Sequence, residues 1–394
     1  MKQYIYDVDG VAEVFVDDKR ALWSLSVLYA LFPLLGIALH AWTGYQWLLL
    51  APLLLSYLVA PIVDWLVGED TSNPPEVVVK ALEDDWYYRA LTMLTVPLHF
   101  VSLIAAAYWA SSQSLHPLMF VALAVTAGLG SGLGINTAHE LGHKKTRLEQ
   151  WLARIVLAVP AYGHFCIEHN RGHHRDVATP EDPASSRMGE SIYRFALREI
   201  PGAMKRGWQV EKDRLTRKGV PVFSWQNELL QSYAISAVLQ LGLLIGFGWL
   251  MIPFLIIHNV LAWWQLTSAN YIEHYGLLRQ RQANGRYERC EPYHSWNSNH
   301  RYSNLLLFHL QRHSDHHAHP TRRYQSLRNF DNVPRLPNGY FGMYLAAYVP
   351  PVWYKIMDKR LLALPHIAGD LSQVNIDPAS QERIVREFAA STES

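Results

Sequence analysis

Apolar residues gather into six stretches along the chain, residues 21–42, 47–67, 90–110, 117–135, 229–250 and 252–268, separated by strongly polar segments. Each approaches the roughly 20 residues that a helix needs to cross a bilayer. They are nearly free of charge, and their one acidic residue, Asp64, sits at the end of its stretch. They also fall into three close pairs, joined by "TGYQ", by "SSQSLH" and by almost nothing around Met251. Buried helices of a soluble core would have no reason to pair so regularly. The pattern predicts three hairpins dipping into a membrane.

Positive residues mark the cytoplasmic side of such hairpins. Here they lie away from the short links: Lys2, Lys19 and Arg20 before the first stretch, Lys144, Lys145 and Arg147 after the fourth, Arg279 and Arg281 after the sixth. The expectation is an all-α integral membrane protein with six transmembrane helices in three hairpins. Both termini and a polar, histidine-rich cap, residues 136–228 and 269–394, would lie in the cytoplasm. No repeat or low-complexity tract divides the chain, so residues 1–394 read as a single domain. The acidic leader "YDVDGVAEVFVDD" is unlike a signal peptide. Residues 340–357 read as an amphipathic stretch lying at the interface, and the closing "STES" as disordered.

A net charge of +1 and the lack of a basic-aromatic module give no reason to expect a nucleic-acid partner. Two cysteines, Cys166 and Cys290, are too few for a disulfide framework, a four-thiolate iron site or an iron–sulfur cluster. The chemistry lies instead in the 19 histidines. "NTAHELGHKK" carries His139 and His143, and "EHNRGHHRDVATPEDP" carries His169, His173 and His174. "NYIEHYG" carries His274, and "LQRHSDHHAHP" carries His313, His316 and His317. Spacings of three and four put imidazoles on one helical face, a turn apart. All four clusters start near the inner end of a predicted span or in the cap, so they can converge at one depth. Nine imidazoles exceed the four ligands that zinc prefers. Two ions with four or five nitrogens each fit the count. Ligand type alone leaves zinc, copper, iron and nickel open.

His139–His143 also reads H-E-L-G-H, the zinc-protease pattern of two ligands around a glutamate base. At the end of a span this would suit an intramembrane zinc protease, though it leaves the other clusters unexplained. In the metal reading Glu140 instead accepts an imidazole N–H or is a solvated helix residue. Ligand imidazoles ordinarily donate their second N–H to a carboxylate. Asp176, Glu181, Asp182, Glu273 and Asp315 are near enough in sequence to do so, and Glu273 or Asp315 could bridge two ions. Asn270, four residues before His274, could hold a water or an imidazole. His309 is a tenth ligand or a hydrogen-bonded neighbour. His40, His99, His116, His294, His300 and His319 carry no assigned role.

The ordered set of four histidine segments resembles that of the integral-membrane alkane 1-monooxygenases, in the histidine-rich membrane di-iron superfamily that includes fatty-acid desaturases and xylene monooxygenases. The likeness runs from the first span to about Arg328. "NYIEHYG" and "LQRHSDHHAHP" are its more specific parts. The resemblance implies two non-haem iron ions held by His139, His143, His169, His173, His174, His274, His313, His316 and His317, without haem or flavin. It implies O2-dependent hydroxylation of the terminal methyl of medium-chain n-alkanes. It also implies a bacterial inner-membrane location, and electrons from a rubredoxin recharged by an NADH-dependent reductase. The chain lacks a rubredoxin's four cysteines, so that carrier would be separate or an extension. A desaturase or fatty-acid ω-hydroxylase of the same superfamily is the alternative.

An unactivated alkane offers no acidic proton, carbonyl or leaving group, so a metal–oxygen oxidant is required. Its terminal C–H bonds are its strongest, so end selectivity must come from geometry. A narrow tunnel fed from the bilayer would present only the chain tip and save about 0.8 kcal/mol per CH2 of rehydration. Leu53, Ser56, Tyr57, Trp65, Trp263, Trp264 and Leu266 are candidate walls, although helix packing explains the aromatics equally well. On this expectation Trp264→Ala should alter the accepted chain length. The arginines of the cap, Arg279, Arg281, Arg286, Arg289, Arg312, Arg322, Arg323 and Arg328, include candidates for steering an acidic electron donor.

Overall fold

In the first two apolar runs the helices are interrupted close to prolines. The computed structural model describes residues 1–392 and is mostly helical. The first run divides into α1 (Ser24–Tyr29) and α2 (Phe32–Thr43), bent 63° apart. Pro33 lies in the first turn of α2, where its missing N–H is tolerated. The second run, α3 (Gln46–Val67), slips into a π turn at Leu55–Val59 just before Pro61. Then follow α4 (Trp86–Ser112) and α5 (Pro117–Gly142). A broken helix, α6, covers residues 165–176, and α7 (Ile192–Arg217) crosses the cap. α8 (Glu228–Phe247) and α9 (Met251–His274) complete the long elements, and α10 (His313–Ala318) and α11 (Tyr340–Ala347) are short cap helices.

Among the described residues, four helices are long and apolar enough to cross a membrane: α3, α4, α5 and α8, or five spans if the bent α1–α2 pair counts as one. The helix of the sixth predicted span, α9, is absent from that set. His258, Asn259, Gln265 and Asn270 dilute its apolar character, and they are accommodated by protein: His258 hydrogen-bonds Ser131 of α5 at 2.7 Å.

The all-α expectation misses a hairpin. β1 (Lys2–Val8) pairs antiparallel with β2 (Val11–Asp17). Asp9 and Gly10 both take positive φ, as a two-residue turn matching strand twist requires. Residues 340–357, expected to lie at the interface, bury one set of side chains and expose another: Tyr340, Phe341, Met343, Tyr344, Trp353 and Met357 are in the main core, and Leu345, Val349 and Val352 are exposed. At the other end, a helix continues through Ser391 and Thr392, two of the four residues expected to be disordered. The remaining two, 393–394, lie outside the described residues.

α5 and α9 form the central contact that positions the site. A Cβ on Gly128 would stand 2.6 Å from the His258 carbonyl oxygen, and one on Gly132 would stand 2.6 Å from Gln265 Cβ. Small residues let the two backbones approach this closely. Gly128→Val is therefore expected to destabilise the fold by about 1–3 kcal/mol through overpacking, read as a lower Tm of the detergent-solubilised protein. An unchanged Tm would mean that the close crossing is not required.

Candidate metal centre

The four histidine segments arrive from separate elements. His139 lies in the last turn of α5 and His143 caps it, α6 supplies His169, His173 and His174, His274 ends α9, and α10 supplies the last three. The structure brings all nine rings together in two adjoining groups. His139, His143, His169, His174 and His316 form one; His173, His274, His313 and His317 form the other. Within each group, one ring nitrogen per residue lies within 4.8 Å of all the others.

The division follows local backbone geometry. In an α-helix His169 and His173 would share a face, but His169–His173 is a π turn. The wider i→i+5 turn aligns His169 with His174 instead and turns His173 to the second group. In α10, His313 and His317 are one α-turn apart and share the second group, while His316 faces the first.

The nitrogens fit a metal better than they fit one another. Nε2 of His174 lies 3.1 Å from Nε2 of both His169 and His316, and that of His139 lies 2.9 Å from His316. In the second group, His313 Nε2 lies 3.2 Å from His274 Nε2 and 3.0 Å from His317 Nε2. Adjacent ligands on an octahedral ion with bonds of about 2.1 Å stand about 3.0 Å apart. Nε2 of His143 and of His173 is buried without a hydrogen-bond partner among the described residues. Burial holds His143, His169, His174, His313, His316 and His317 well below the ordinary imidazole range, which keeps them neutral with lone pairs free.

His173 differs. Burial pulls its titration down, but Asp182 outweighs burial and raises it. His173 Nδ1 lies 2.9 Å from Asp182 Oδ2, which leaves Nε2 for the second group. Asp182 also accepts from Ser185 Oγ at 2.6 Å and Arg206 Nη2 at 2.6 Å. Burial disfavours its charge, yet His173 and Arg206 hold it well below the usual carboxylate range. His274 Nδ1 lies 3.2 Å from the His294 carbonyl, its hydrogen-bond acceptor.

The other carboxylates expected beside ligands have other partners. Glu140 pairs with Lys144 at 3.0 Å and accepts from the Tyr324 N–H, so the base of the protease reading has a cation partner instead of an imidazole. Asp176 pairs with Arg175, and Glu181 with Arg281 and Tyr287. Asp315, a buried residue of α10, binds His319, Arg322 and the Arg328 N–H. Glu273 is closest to the centre: Oε2 is 3.5 Å from His313 Nε2, and Oε1 accepts from Tyr340 at 2.8 Å. Asn270 bonds Glu199, and His309 bonds the Tyr324 carbonyl and stands edge-on to Trp23, outside both groups.

An apolar cavity opens onto both groups, with His139 and His169 of one, His313 of the other, and Glu273 in its wall. Leu129, Gly132 and Leu133 of α5, Leu266 of α9, and Phe341 and Tyr344 of α11 are among the other lining residues. Of the seven wall residues expected from sequence, only Leu266 lines it. Ser56 and Tyr57 stand one layer back, holding the lining residues Tyr29 at 2.6 Å and Gln265 at 2.7 Å. Leu53 is not in the wall, and Trp65 is 76% exposed on the outside of α3. Trp263 donates to the Pro160 carbonyl, and Trp264 stacks on Tyr193 and Tyr348. Helical spacing cannot tell which side of a helix faces a cavity when all sides are apolar.

Sequence reasoning overlooked Arg206, Glu168, Ser185, Tyr340 and Glu199. Glu168, directly before His169, carries the only local signal, since a buried carboxylate there requires a cation, and Arg206 supplies it. Most of the expected arginine patch is used inside the fold. Arg312 and Arg279 are buried on backbone carbonyls, and Arg322, Arg323 and Arg328 pair with Asp315, Glu149 and Glu76. Arg281, Arg286 and Arg289 are exposed.

Residues 115–345 match the family model described as fatty acid desaturase. The chain is 54% identical over 380 residues to Alkane 1-monooxygenase 1 of Alcanivorax borkumensis, covering 96% of this chain and 94% of that one. It is 53% identical over 381 residues to Alkane 1-monooxygenase of Ectopseudomonas oleovorans, with 97% and 94% covered. With the Acinetobacter baylyi protein of that name it shares 42% over 382 residues, with 95% and 92% covered. Fold and histidine pattern together define an integral membrane oxidoreductase of the histidine-rich di-iron superfamily. Within that superfamily the chain belongs to the alkane 1-monooxygenase family.

Proposed function

We propose that the protein inserts one oxygen atom from O2 into the terminal methyl of medium-chain n-alkanes, giving 1-alkanols. The observation that carries this reading is the apolar cavity touching both histidine groups. His139, His143, His169, His174 and His316 would hold one iron, and His173, His274, His313 and His317 the other. Iron with O2 supplies the oxidant that an unactivated C–H bond demands.

The chain's own residues do the positioning. Leu129, Leu133, Leu266 and Phe341 give an alkyl chain apolar contact in a wall that also carries His139, His169 and His313. A chain whose tip reaches those histidines would present its terminal methyl there. Asp182 fixes the His173 ring with Nε2 turned inward, and the His294 carbonyl does the same for His274. With six spans in three hairpins, α9 being the sixth, the centre would lie at the inner face of a bacterial inner membrane, where substrate could enter from lipid. Electrons would come from rubredoxin and its NADH-dependent reductase, with Arg281, Arg286 and Arg289 as the exposed remainder of the basic surface.

The deciding experiment is octane turnover by detergent-purified protein with NADH, reductase and rubredoxin. Formation of 1-octanol supports the reading. An alkene product would make the enzyme a desaturase, and peptide cleavage without octanol would restore the protease. The cavity makes a finer prediction: Leu266→Trp should shift products to shorter alkanes and lower octane turnover several-fold. Trp264→Ala, outside the wall, should leave the chain-length profile unchanged, contrary to the expectation from sequence. Product profiles over C6 to C16 substrates test both.

A further inference from the structure

Among the buried carboxyls that the centre described above does not use, Glu199 lies nearest the cavity wall through Asn270. Glu199, on α7, is 1% exposed. Its Oε2 accepts from Thr267 Oγ1 at 2.8 Å and its Oε1 from Asn270 Nδ2 at 3.2 Å. Both partners are neutral, and no cation pairs with it among the described residues. A buried carboxylate without a cation is costly, and such a group neutralises by holding its proton. Asn270 lines the cavity, in the same wall as Glu273 and His313. Glu199 therefore stands one side chain behind the space in which oxygen would be reduced, without belonging to either histidine group.

A second group of buried polar side chains bears on Glu199. Burial, and after it the charges of Glu199 and Glu168, push the Tyr162 phenol well above its ordinary range. Tyr162 Oη and His164 Nε2 are buried without hydrogen-bond partners among the described residues. Such atoms are ordinarily satisfied by ordered water. The Tyr162 and His164 rings are 4.2 Å apart, and His164 Nδ1 lies 2.7 Å from the hydroxyl of half-buried Tyr233 on α8. His164 is thus hydrogen-bonded to Tyr233, with the Tyr162 ring packed on its own.

Resting on the monooxygenase reading, we propose that Glu199 holds and delivers a proton consumed when O2 is reduced in the cavity. Alkane, O2, two electrons from the external donor and two protons give alcohol and water. One of those protons leaves the Glu199 carboxyl: its O–H bond breaks, an O–H bond of the product water forms, and the carboxylate regains a proton from solvent. Four groups besides burial bear on its charge. Burial first pushes the carboxyl up to about 7, with Glu168 and Asp182 adding to the rise and Thr267 and Asn270 opposing it. Arg206 is engaged by Glu168 and Asp182.

Glu199→Gln in the full-length, iron-loaded protein keeps a polar group of the same shape but cannot release a proton. It is expected to lower kcat for octane about 100-fold, with KM and iron content unchanged. The wild-type fall in kcat as pH rises through about 7 should disappear with it. Infrared spectra provide a readout independent of turnover: a carboxylic-acid C=O band at neutral pH, present in wild type and lost in the variant. Wild-type kcat and pH profile in the variant, or no such band in wild type, would overturn the proposal, as would loss of iron in parallel with kcat. Should Glu199→Gln not assemble, Glu199→Asp serves: retained turnover with a displaced pH profile supports the proposal and an undisplaced profile overturns it. Failure of the wild type to make octanol would instead count against the monooxygenase reading.

Discussion

His274→Ala is expected to abolish octane hydroxylation, with a loss of at least about 100-fold. Removing a group that merely orients a ligand already costs about 10–100-fold in metal affinity or activity, and His274 would be a ligand itself. It belongs to the smaller group, so its loss leaves three imidazoles where four converge. It also leaves His313 Nε2 without the neighbour it has at 3.2 Å. Metal content per chain should fall from two irons towards one. His309→Ala is the matched comparison. His309 is buried in the same segment, but it bonds the Tyr324 carbonyl outside both groups, so that variant should keep both irons. Equal iron loss in the two variants would show that the response is general destabilisation and not ligand removal.

Asp182→Asn should produce the next largest effect. The fully buried carboxylate joins His173, Ser185 and the partly buried Arg206 in one network. With an amide in its place the acceptor charge beside His173 Nδ1 is lost, and Arg206 keeps Glu168 as its main anionic partner. Metal affinity should drop by about 10–100-fold, measured by chelator competition on the purified protein. The acid limb of stability should change as well. The native carboxyl is held below its unfolded value, so its contribution is present at neutral pH and lost as pH falls through the depressed folded value. Wild type should therefore lose more stability on acidification than Asp182→Asn. Identical pH profiles would show that Asp182 does not carry this charge.

The metal cluster was easier to read from sequence than the cavity was. Histidines are so seldom crowded that nine of them in four short segments carry their own signal, and all nine lie in the two groups. Their division between groups was not legible, because i, i+4 spacing presumes an α-helix and His169–His173 is a π turn. The long apolar runs gave the helices, but breaks such as the 63° bend between α1 and α2 depended on reading Pro33 as a boundary. The N-terminal hairpin was legible and overlooked: Asp9-Gly10 between alternating apolar residues is a hairpin signal. The cavity wall was hidden for a different reason. Aromatic residues in α3 and α9 look alike whether they are exposed, as Trp65 is, packed on a neighbouring segment, as Trp264 is, or turned to a cavity. The arginines misled in the same way, since positive residues near a membrane give no sign of whether a buried carboxylate such as Asp315 claims them.

The most direct test of the central claim is iron K-edge X-ray absorption on the detergent-purified wild type, combined with metal quantitation. Two irons per chain, each surrounded mainly by imidazole nitrogen at about 2.1 Å, is the result expected of two adjoining groups of five and four histidines. A single zinc, or iron bound mostly by oxygen or sulfur, would contradict it.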